Sequence, residues 1–361
     1  MPRRDIMRLR NSRLGLAFLL ILLPFASLPA QNPVPGDLFP PQVKPSSTKQ
    51  DVANSGVTKA DEAASGGASQ GQEPTEDNGA FTFRTRVEEV VLHATVVDDK
   101  QRMVTTLDQS AFSVFEDGKP QNIISFRHED IPVAMGVVID NSGSMREKRD
   151  KVNKAAINLV KSSNPQDEVF IVNFNDEYYL DQDFTNDLGK MREALEKVDT
   201  RGGTALYDAV VASADHLKKN ARLEKRVLFV VTDGEDNESQ ESLEQAIRRL
   251  QEENGPTVYA IGLLGDEKQR RARKALQFIT EKTGGVAFFP KTLDEVDEIS
   301  RQIAHDIRNQ YTIGYKPTNP KSSGGYRGIK VEAKAKGYGR LTVRTKSGYY
   351  AGQERAANSP S

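Results

Sequence analysis

Oxygen-bearing side chains follow two apolar runs of this sequence, close to the point where each run ends. Asp140, Ser142 and Ser144 come directly after "VAMGVVI", and Asp233 follows "RVLFVV" with one residue between. Thr204 stands behind a Gly-Gly pair in "TRGGTALYDAV", where a helical pattern begins. Two carboxylates and three hydroxyls, with no sulfur or imidazole nearby in the sequence, suit Mg²⁺, Ca²⁺ or Mn²⁺ better than zinc.

The middle of the chain, residues 131–308, contains the elements that must position these side chains. Unbroken apolar runs ("VAMGVVI", "VFIVNF", "RVLFVV", "TVYAIGLL") alternate with amphipathic helical patterns. This alternation predicts an α/β domain with a doubly wound, mostly parallel, Rossmann-like sheet covered on both faces. Binding sites of such sheets form at the carboxyl ends of the strands, so the side chains should meet there. Two carboxylates ~5 Å apart would repel by roughly 3 kcal/mol at an effective dielectric of ~20, and a divalent cation would remove that repulsion.

The two segments that flank this domain have a different pattern. Residues 81–130 and 309–352 contain short alternating strands separated by turn residues, with Asp117-Gly118 as the predicted turn of one hairpin. Isolated hairpins are marginally stable in water. We therefore expect the N- and C-terminal strands to pair with each other in one small β unit, with the α/β domain inserted between them.

The N-terminus is typical of an exported protein. Five arginines precede an apolar stretch, Leu14 to Leu28, and Ala30 offers a cleavage point, which predicts a signal peptide over residues 1–30. An uncleaved signal anchor is the alternative. Residues 31–80 are rich in Pro, Gly, Ser and Gln and are predicted to be a disordered linker, and 353–361 a disordered tail. The predicted location is the periplasm or the extracellular side of the cell envelope.

Composition excludes several classes of protein. The 361-residue chain has no cysteine, so it contains neither disulfides nor thiol nucleophiles. Its net charge is −1, and loss of the five arginines and one aspartate of the signal peptide would leave about −5. Nucleic-acid-binding domains usually carry a basic stripe, so no nucleic-acid partner is expected. The four histidines are scattered and have no ligand spacing.

The combination Asp-x-Ser-x-Ser at 140–144, a threonine after glycines at Thr204, and "TDG" at 232–234 resembles the von Willebrand factor type A (VWA) family. In that family these five positions form a metal-ion-dependent adhesion site. The segments "DEVFIVNFND" and "VDTRGGTALYDAV" are also similar to the family, so the resemblance covers about half of the chain. The flanking "FSVFEDGKPQ" and "SGYYA" resemble a bacterial exported subgroup.

The resemblance implies a role for each of the five residues. Ser142 and Ser144 would bind the ion directly, and Asp140, Thr204 and Asp233 directly or through water. Mg²⁺ is favoured, with Mn²⁺ and Ca²⁺ as alternatives. One coordination position would stay open for a carboxylate from a protein partner. The implied function is an exported adhesion module without enzymatic activity, which reaches a membrane only if the signal anchor is retained.

Two other functions stay open on the residues alone. A haloacid-dehalogenase-type phosphatase also has an aspartate after the first strand, but it needs a second aspartate where Ser142 stands. A structural scaffold that binds no metal is the other alternative. The single residues also have ordinary explanations: Ser142, Ser144 or Thr204 could cap a helix, and Asp233-Gly234 could be a simple turn. The acids Glu235, Asp236 and Glu238 are expected to be solvated loop residues.

Overall fold

The structure is a computed structural model that describes residues 88–264 and 269–352. The predicted signal peptide, linker and tail lie outside the described residues, as do the first residues of the N-terminal β segment. In the part of the chain that is described, no helix is both long enough and apolar enough to cross a membrane.

Four short strands come first among the described residues. They are β1 (Val90–Val97), β2 (Phe112–Glu116), β3 (Lys119–Gln121) and β4 (Ile123–Arg127). The β2–β3 turn is the predicted one, because Asp117 and Gly118 both adopt positive φ angles, 49° and 78°. Such a pair is the preferred two-residue hairpin turn, and Gly118 reaches that conformation without steric cost.

The inserted domain alternates strands and helices, as the sequence pattern predicts. Its strands are β5 (Val133–Asp140), β6 (Glu168–Phe174), β7 (Tyr178–Thr185), β8 (Lys225–Thr232), β9 (Thr257–Gly262) and β10 (Ala287–Phe288). Its helices are α1 (Arg149–Ser162), α2 (Leu188–Glu196), α3 (Leu206–Asn220), α4 (Leu243–Leu250), α5 (Arg270–Thr283) and α6 (Glu295–Arg308). The C-terminal strands are β11 (Tyr311–Tyr315), β12 (Gly325–Ala333), β13 (Thr342–Arg344) and β14 (Gly348–Ala351).

The central sheet has the strand order β10-β9-β8-β5-β6-β7. All neighbours are parallel except β7, which pairs antiparallel with β6 as the second strand of a hairpin. Every residue of β5 is buried, because helices cover both faces of the sheet. One apolar core contains side chains of α1, α2 and α6, and the core on the other face contains those of α3, α4 and α5. The predicted doubly wound α/β fold is confirmed.

The flanking strands form two small sheets, in the orders β13-β1-β11-β4 and β14-β12-β2-β3. Each sheet joins strands from both ends of the chain: β1 pairs with β11, and β2 pairs with β12. The sheets share one apolar core, which includes Leu92 of β1, Val114 of β2 and Ile313 of β11. The predicted small β unit built from both flanks is therefore confirmed.

A buried ion pair lies in the core of the β unit. Glu116 and Arg327 are 2% and 1% exposed, and their side chains are 3.2 Å apart. The hydroxyls of Tyr315 and Tyr349 donate to the same carboxylate at 2.5 and 3.0 Å. These hydrogen bonds satisfy the carboxylate lone pairs, which is the condition under which a buried charge pair is tolerated.

Candidate metal centre

Adjacent parallel strands place the two predicted carboxylates at one edge of the central sheet. Ile139 of β5 is in register with Val231 of β8, so Asp140 at the end of β5 and Asp233 just after β8 emerge side by side. Both residues are almost fully buried, at 0% and 2% exposure. Two carboxylates in such a place need hydrogen bonds or a cation close by.

The loop after β5 supplies the two serine hydroxyls. Oδ1 of Asp140 accepts a hydrogen bond from the Ser142 backbone N–H at 2.8 Å, which fixes the turn. Oγ of Ser142 lies 3.1 Å from Oγ of Ser144, and the Ser144 hydroxyl donates to Oδ1 of Asp233 at 2.7 Å. Neither serine caps a helix through its side chain, so both hydroxyls remain with the carboxylates.

The loop before α3 brings Thr204 to the same place. Gly202, with φ of 72°, accepts a hydrogen bond through its carbonyl from the Gly143 N–H at 3.2 Å, which ties this loop to the serine loop. Thr204 is buried, and its Oγ1 lies 3.2 Å from the position that a Cβ on Gly234 would take. A side chain at Gly234 would therefore crowd the threonine. The N-cap of α3 is Ala205, so Thr204 does not cap that helix.

The structure thus brings the five predicted residues together from three loops. Burial raises the pKa of Asp140 above its usual value, hydrogen bonds from Thr232 and Ser142 lower it in part, and the nearby Asp233 raises it again. Oδ2 of Asp140 accepts the Thr232 hydroxyl at 2.6 Å. Thr232 enters the sequence analysis only as part of "TDG" and without a role, because no local pattern shows that its hydroxyl reaches Asp140.

Lys148 is the other residue that the sequence analysis missed. Its ammonium forms an ion pair with Oδ2 of Asp233, and its side chain is 28% exposed while that of Asp233 is 0% exposed. The sequence predicts a divalent cation as the counter-charge of the two carboxylates, and the chain itself provides a cation as well. Nothing in the spacing of Lys148 singles it out from the other lysines near α1.

One of the acidic residues after β8, Asp236, forms hydrogen bonds that hold the loop in place. Oδ2 of Asp236 accepts hydrogen bonds from the Tyr207 N–H at 3.0 Å and from the Ser239 hydroxyl at 2.6 Å. The neighbouring Asn237 accepts from the Thr204 N–H at 2.8 Å. The expectation of a purely solvated residue was wrong for Asp236, which instead joins the β8 loop to the start of α3. The fixed loop in turn positions Thr204.

The oxygen atoms are compatible with a small hard cation. Mg²⁺ prefers octahedral geometry with bonds of about 2.0–2.1 Å, which puts neighbouring ligand oxygens about 2.8–3.0 Å apart. The separations within the Ser142, Ser144 and Asp233 chain are 3.1 and 2.7 Å. Among the described residues, no group of three or more His, Cys, Asp or Glu side chains could hold a metal ion. A cation here would therefore depend on hydroxyl oxygens as well as carboxylates.

A family model matches the central segment of the chain. Residues 135–235 match the family model of the von Willebrand factor type A domain. No curated protein sequence matches this chain.

Solved structures give weaker likenesses. An aerotolerance-related membrane protein of Bacteroides fragilis, with multiple mutations to serine, is 18% identical over 48% of this chain and 98% of its own (TM-score 0.40). A von Willebrand factor type A structure from Catenulispora acidiphila is 13% identical over 74% of each chain (TM-score 0.41). The vWF domain of the type V pili tip protein Mfa5 of Porphyromonas gingivalis is 14% identical over 50% of this chain and 97% of its own (TM-score 0.41). The family-model match supports the assignment of residues 135–235 to the von Willebrand factor type A domain family.

Proposed function

We propose that this protein is an exported binding module that engages a protein partner through a divalent cation, with Mg²⁺ favoured over Mn²⁺ and Ca²⁺. The observation that carries this proposal is the convergence of Asp140, Ser142, Ser144, Thr204 and Asp233 at one edge of the sheet. Their hydroxyl and carboxylate oxygens come from three separate loops and lie within hydrogen-bonding reach of one another along the Ser142–Ser144–Asp233 chain. Three of the five side chains are neutral hydroxyls, so the two carboxylates would at most offset the charge of the ion. A coordination position would stay open for an external carboxylate.

Each residue has a distinct part in this proposal. The exposed Ser144 and the buried Ser142 would contact the ion directly. The Thr232 hydroxyl and the Ser142 N–H orient the Asp140 carboxylate, so that it enters the site already ordered. When bound, the cation would supply a Lewis-acidic position that accepts a carboxylate oxygen from the partner. No nucleophile–base pair is part of this arrangement, and we propose binding rather than catalysis.

One observation favours a second candidate. The ion pair between Lys148 and Asp233 satisfies one carboxylate without any metal, as a metal-independent scaffold would require. The two candidates differ in a measurable property, because only the first predicts that a divalent cation binds to the folded protein and stabilises it. A phosphatase of the haloacid dehalogenase type is disfavoured, because it needs an aspartate at the position of Ser142.

The first experiment is a thermal unfolding series of the full-length protein with Mg²⁺, with Mn²⁺ and with a chelator. A ligand at ~100 times its dissociation constant stabilises the folded state by about 2.7 kcal/mol, so the melting temperature should rise by roughly 5–11 °C. The variant Ser144→Ala should lose most of this gain. Equal melting temperatures with metal and with chelator would reject the metal-dependent function and leave the scaffold.

A second experiment addresses the partner. The purified protein is used to capture proteins from the envelope of its native cell, in Mg²⁺ and in chelator, with Ser144→Ala as the matched control. We expect a partner that is retained by the wild type in Mg²⁺ and lost in the other two samples. A partner retained equally in all samples would show that binding does not use the cation.

A further inference from the structure

A polar cavity lies at the end of the α/β domain away from the candidate metal centre, where the amino ends of the strands meet the β unit. Its volume is about 310 Å³, which is at the lower end of the range for small-molecule sites. His93 of β1 and Thr312 of β11 line it from the β unit, and Arg226 of β8 and Thr257 of β9 from the central sheet. Lys346, between β13 and β14, also lines it.

Two cationic side chains of this cavity, both partly buried, have few partners among the described residues. Nε of Arg226 is buried and makes no hydrogen bond, and its Nη1 makes only a long contact of 3.4 Å with the Asn254 carbonyl. Within residues 88–264 and 269–352, no hydrogen bond or ion pair is formed by the Lys346 ammonium. Burial lowers the pKa of Lys346 to about 8 and also lowers the pKa of Arg226. Both cations therefore have donors available to an anion.

The carboxylates near the cavity are largely engaged elsewhere. Oε1 of Glu89 accepts a hydrogen bond from the Ser125 hydroxyl at 2.5 Å. Glu253, whose charge raises the pKa of Lys346, forms an ion pair with Lys321. Glu224 lines the cavity but is exposed to solvent. These acids reduce the positive potential of the cavity but leave the Arg226 and Lys346 donors unoccupied.

The imidazole ring of His93 is close enough to three cationic side chains for their charges to act on it. Its pKa is well below the usual histidine value, first because the ring is buried and then because Lys225, Lys346 and Arg127 repel its protonated form. Its Nδ1 lies 3.3 Å from the Thr312 hydroxyl. At neutral pH the ring is therefore uncharged. The walls of the cavity thus combine cations, a neutral imidazole and threonine hydroxyls.

We propose that this cavity is a binding site for a small oxyanion, a carboxylate or a phosphate group. Such a ligand would accept hydrogen bonds from the Arg226 guanidinium and the Lys346 ammonium, which are the donor types that bind these anions in proteins. Because both the β unit and the α/β domain supply walls, a bound anion would connect the two. The site is separate from the candidate metal centre, so each proposal can fail without the other.

The test is calorimetric titration of the full-length protein with inorganic phosphate and, in a second arm, with acetate. The buffer contains chloride at matched ionic strength and no divalent cation. The variants are Lys346→Met and Arg226→Met, which keep an unbranched apolar stem but remove the charge. Lys336→Met is the control, since Lys336 is exposed and does not line the cavity. Melting temperatures without anion verify that each variant folds.

We expect saturable binding of phosphate, acetate or both to the wild type and to Lys336→Met. Each cavity variant should bind at least about tenfold more weakly, which corresponds to about 1.4 kcal/mol. Binding in one arm only would identify the preferred anion and support the site. Absence of saturable binding in both arms would overturn the proposal. Equal affinity in wild type and both cavity variants would overturn it too, because the anion would then bind elsewhere.

Discussion

Replacing Lys148 by methionine should make the protein bind Mg²⁺ more tightly. The Lys148 ammonium pairs with Asp233, one of the residues proposed to hold the ion, so lysine and metal compete for the same carboxylate. Methionine keeps the length and much of the apolar contact of the side chain while it removes the charge. Occupation of the site by a cation would then no longer require displacement of an internal one.

The expected change in Mg²⁺ affinity depends on what the Lys148 side chain does when the ion binds. The response that costs less free energy determines the change. If the ammonium stayed ~5 Å from a divalent ion, repulsion would cost roughly 7 kcal/mol at an effective dielectric of ~20 and roughly 2 kcal/mol in bulk water. If it moved into solvent instead, the loss would be its ion pair with a buried carboxylate, about 1–3 kcal/mol. Movement of the ammonium into solvent costs less at the partly buried site, so it determines the free-energy penalty that Lys148 imposes on metal binding. Removal of Lys148 should therefore lower the Mg²⁺ dissociation constant by about 5- to 150-fold.

The assay is calorimetric titration with Mg²⁺, supported by melting temperatures with and without metal. Lys148→Met should melt at a lower temperature than wild type in chelator, because Asp233 loses its counter-charge, yet gain more from Mg²⁺. Lys148→Arg keeps the charge and should bind metal about as weakly as wild type. Lys154→Met, at an exposed position on α1, the helix that follows Lys148, is the control. Unchanged or weaker Mg²⁺ affinity in Lys148→Met would refute the competition.

Three further results are expected. Ser144→Ala should lower the free energy of unfolding in chelator by no more than about 1 kcal/mol, because Ser144 caps no helix and loses one hydrogen bond, to Asp233; a larger loss would assign it a structural role. Glu116→Ala should cost about 3–5 kcal/mol in urea unfolding, since it leaves Arg327 buried without its carboxylate, and a loss below 1 kcal/mol would contradict the buried pair. Burial raises the pKa of Asp167 to about 6, so the folded state binds the proton more tightly and this residue's contribution to stability should fall as pH rises from about 4 to 6. Asp167→Asn should flatten that part of the pH profile, and an unchanged slope would show that Asp167 is not its source.

The sheet and the cluster at its edge were predictable because both follow from local patterns. Four unbroken apolar runs correspond to β5, β6, β8 and β9, and parallel strands must end at a common edge. Residues directly after two of those runs therefore had to converge. The amphipathic patterns likewise correspond to α1, α4 and α6. For these strands and helices, the apolar pattern within a short stretch of sequence is enough to determine the element.

Other features depend on contacts that no short window contains. Lys148 reaches Asp233 across 85 positions of the chain, and the length of a lysine side chain leaves many partners open to it. The helices α2 and α5 were not predicted, because charged residues interrupt their apolar patterns. The division of the β unit into two sheets depends on pairings such as Ile313 with Leu92 and Val331 with Val114. Alternation alone specifies which face of a strand is buried, not which strand lies beside it.

The insertion topology also bears on what the proposed cation could engage. The chain enters the α/β domain between β4 and β5 and leaves it between α6 and β11, and β4 pairs with β11. The contacts with the β unit, such as Ser347 N–H to the Lys282 carbonyl at 3.1 Å and Tyr350 N–H to the Gln251 carbonyl at 2.8 Å, lie where α5 and α4 end and lead into β10 and β9. They are therefore at the amino edge of the sheet.

The candidate metal centre is at the carboxyl edge, beyond the eight residues of β5. At about 3.3 Å per residue the two edges are roughly 25 Å apart. The described β strands of the same chain consequently cannot supply the carboxylate that completes the proposed coordination. We therefore expect that ligand to come from another molecule or from a segment of this chain outside the β unit. An inert protein fused to the intact chain next to the β unit should thus leave Mg²⁺-dependent capture of the partner unchanged. A loss of capture would instead place the partner at the β unit.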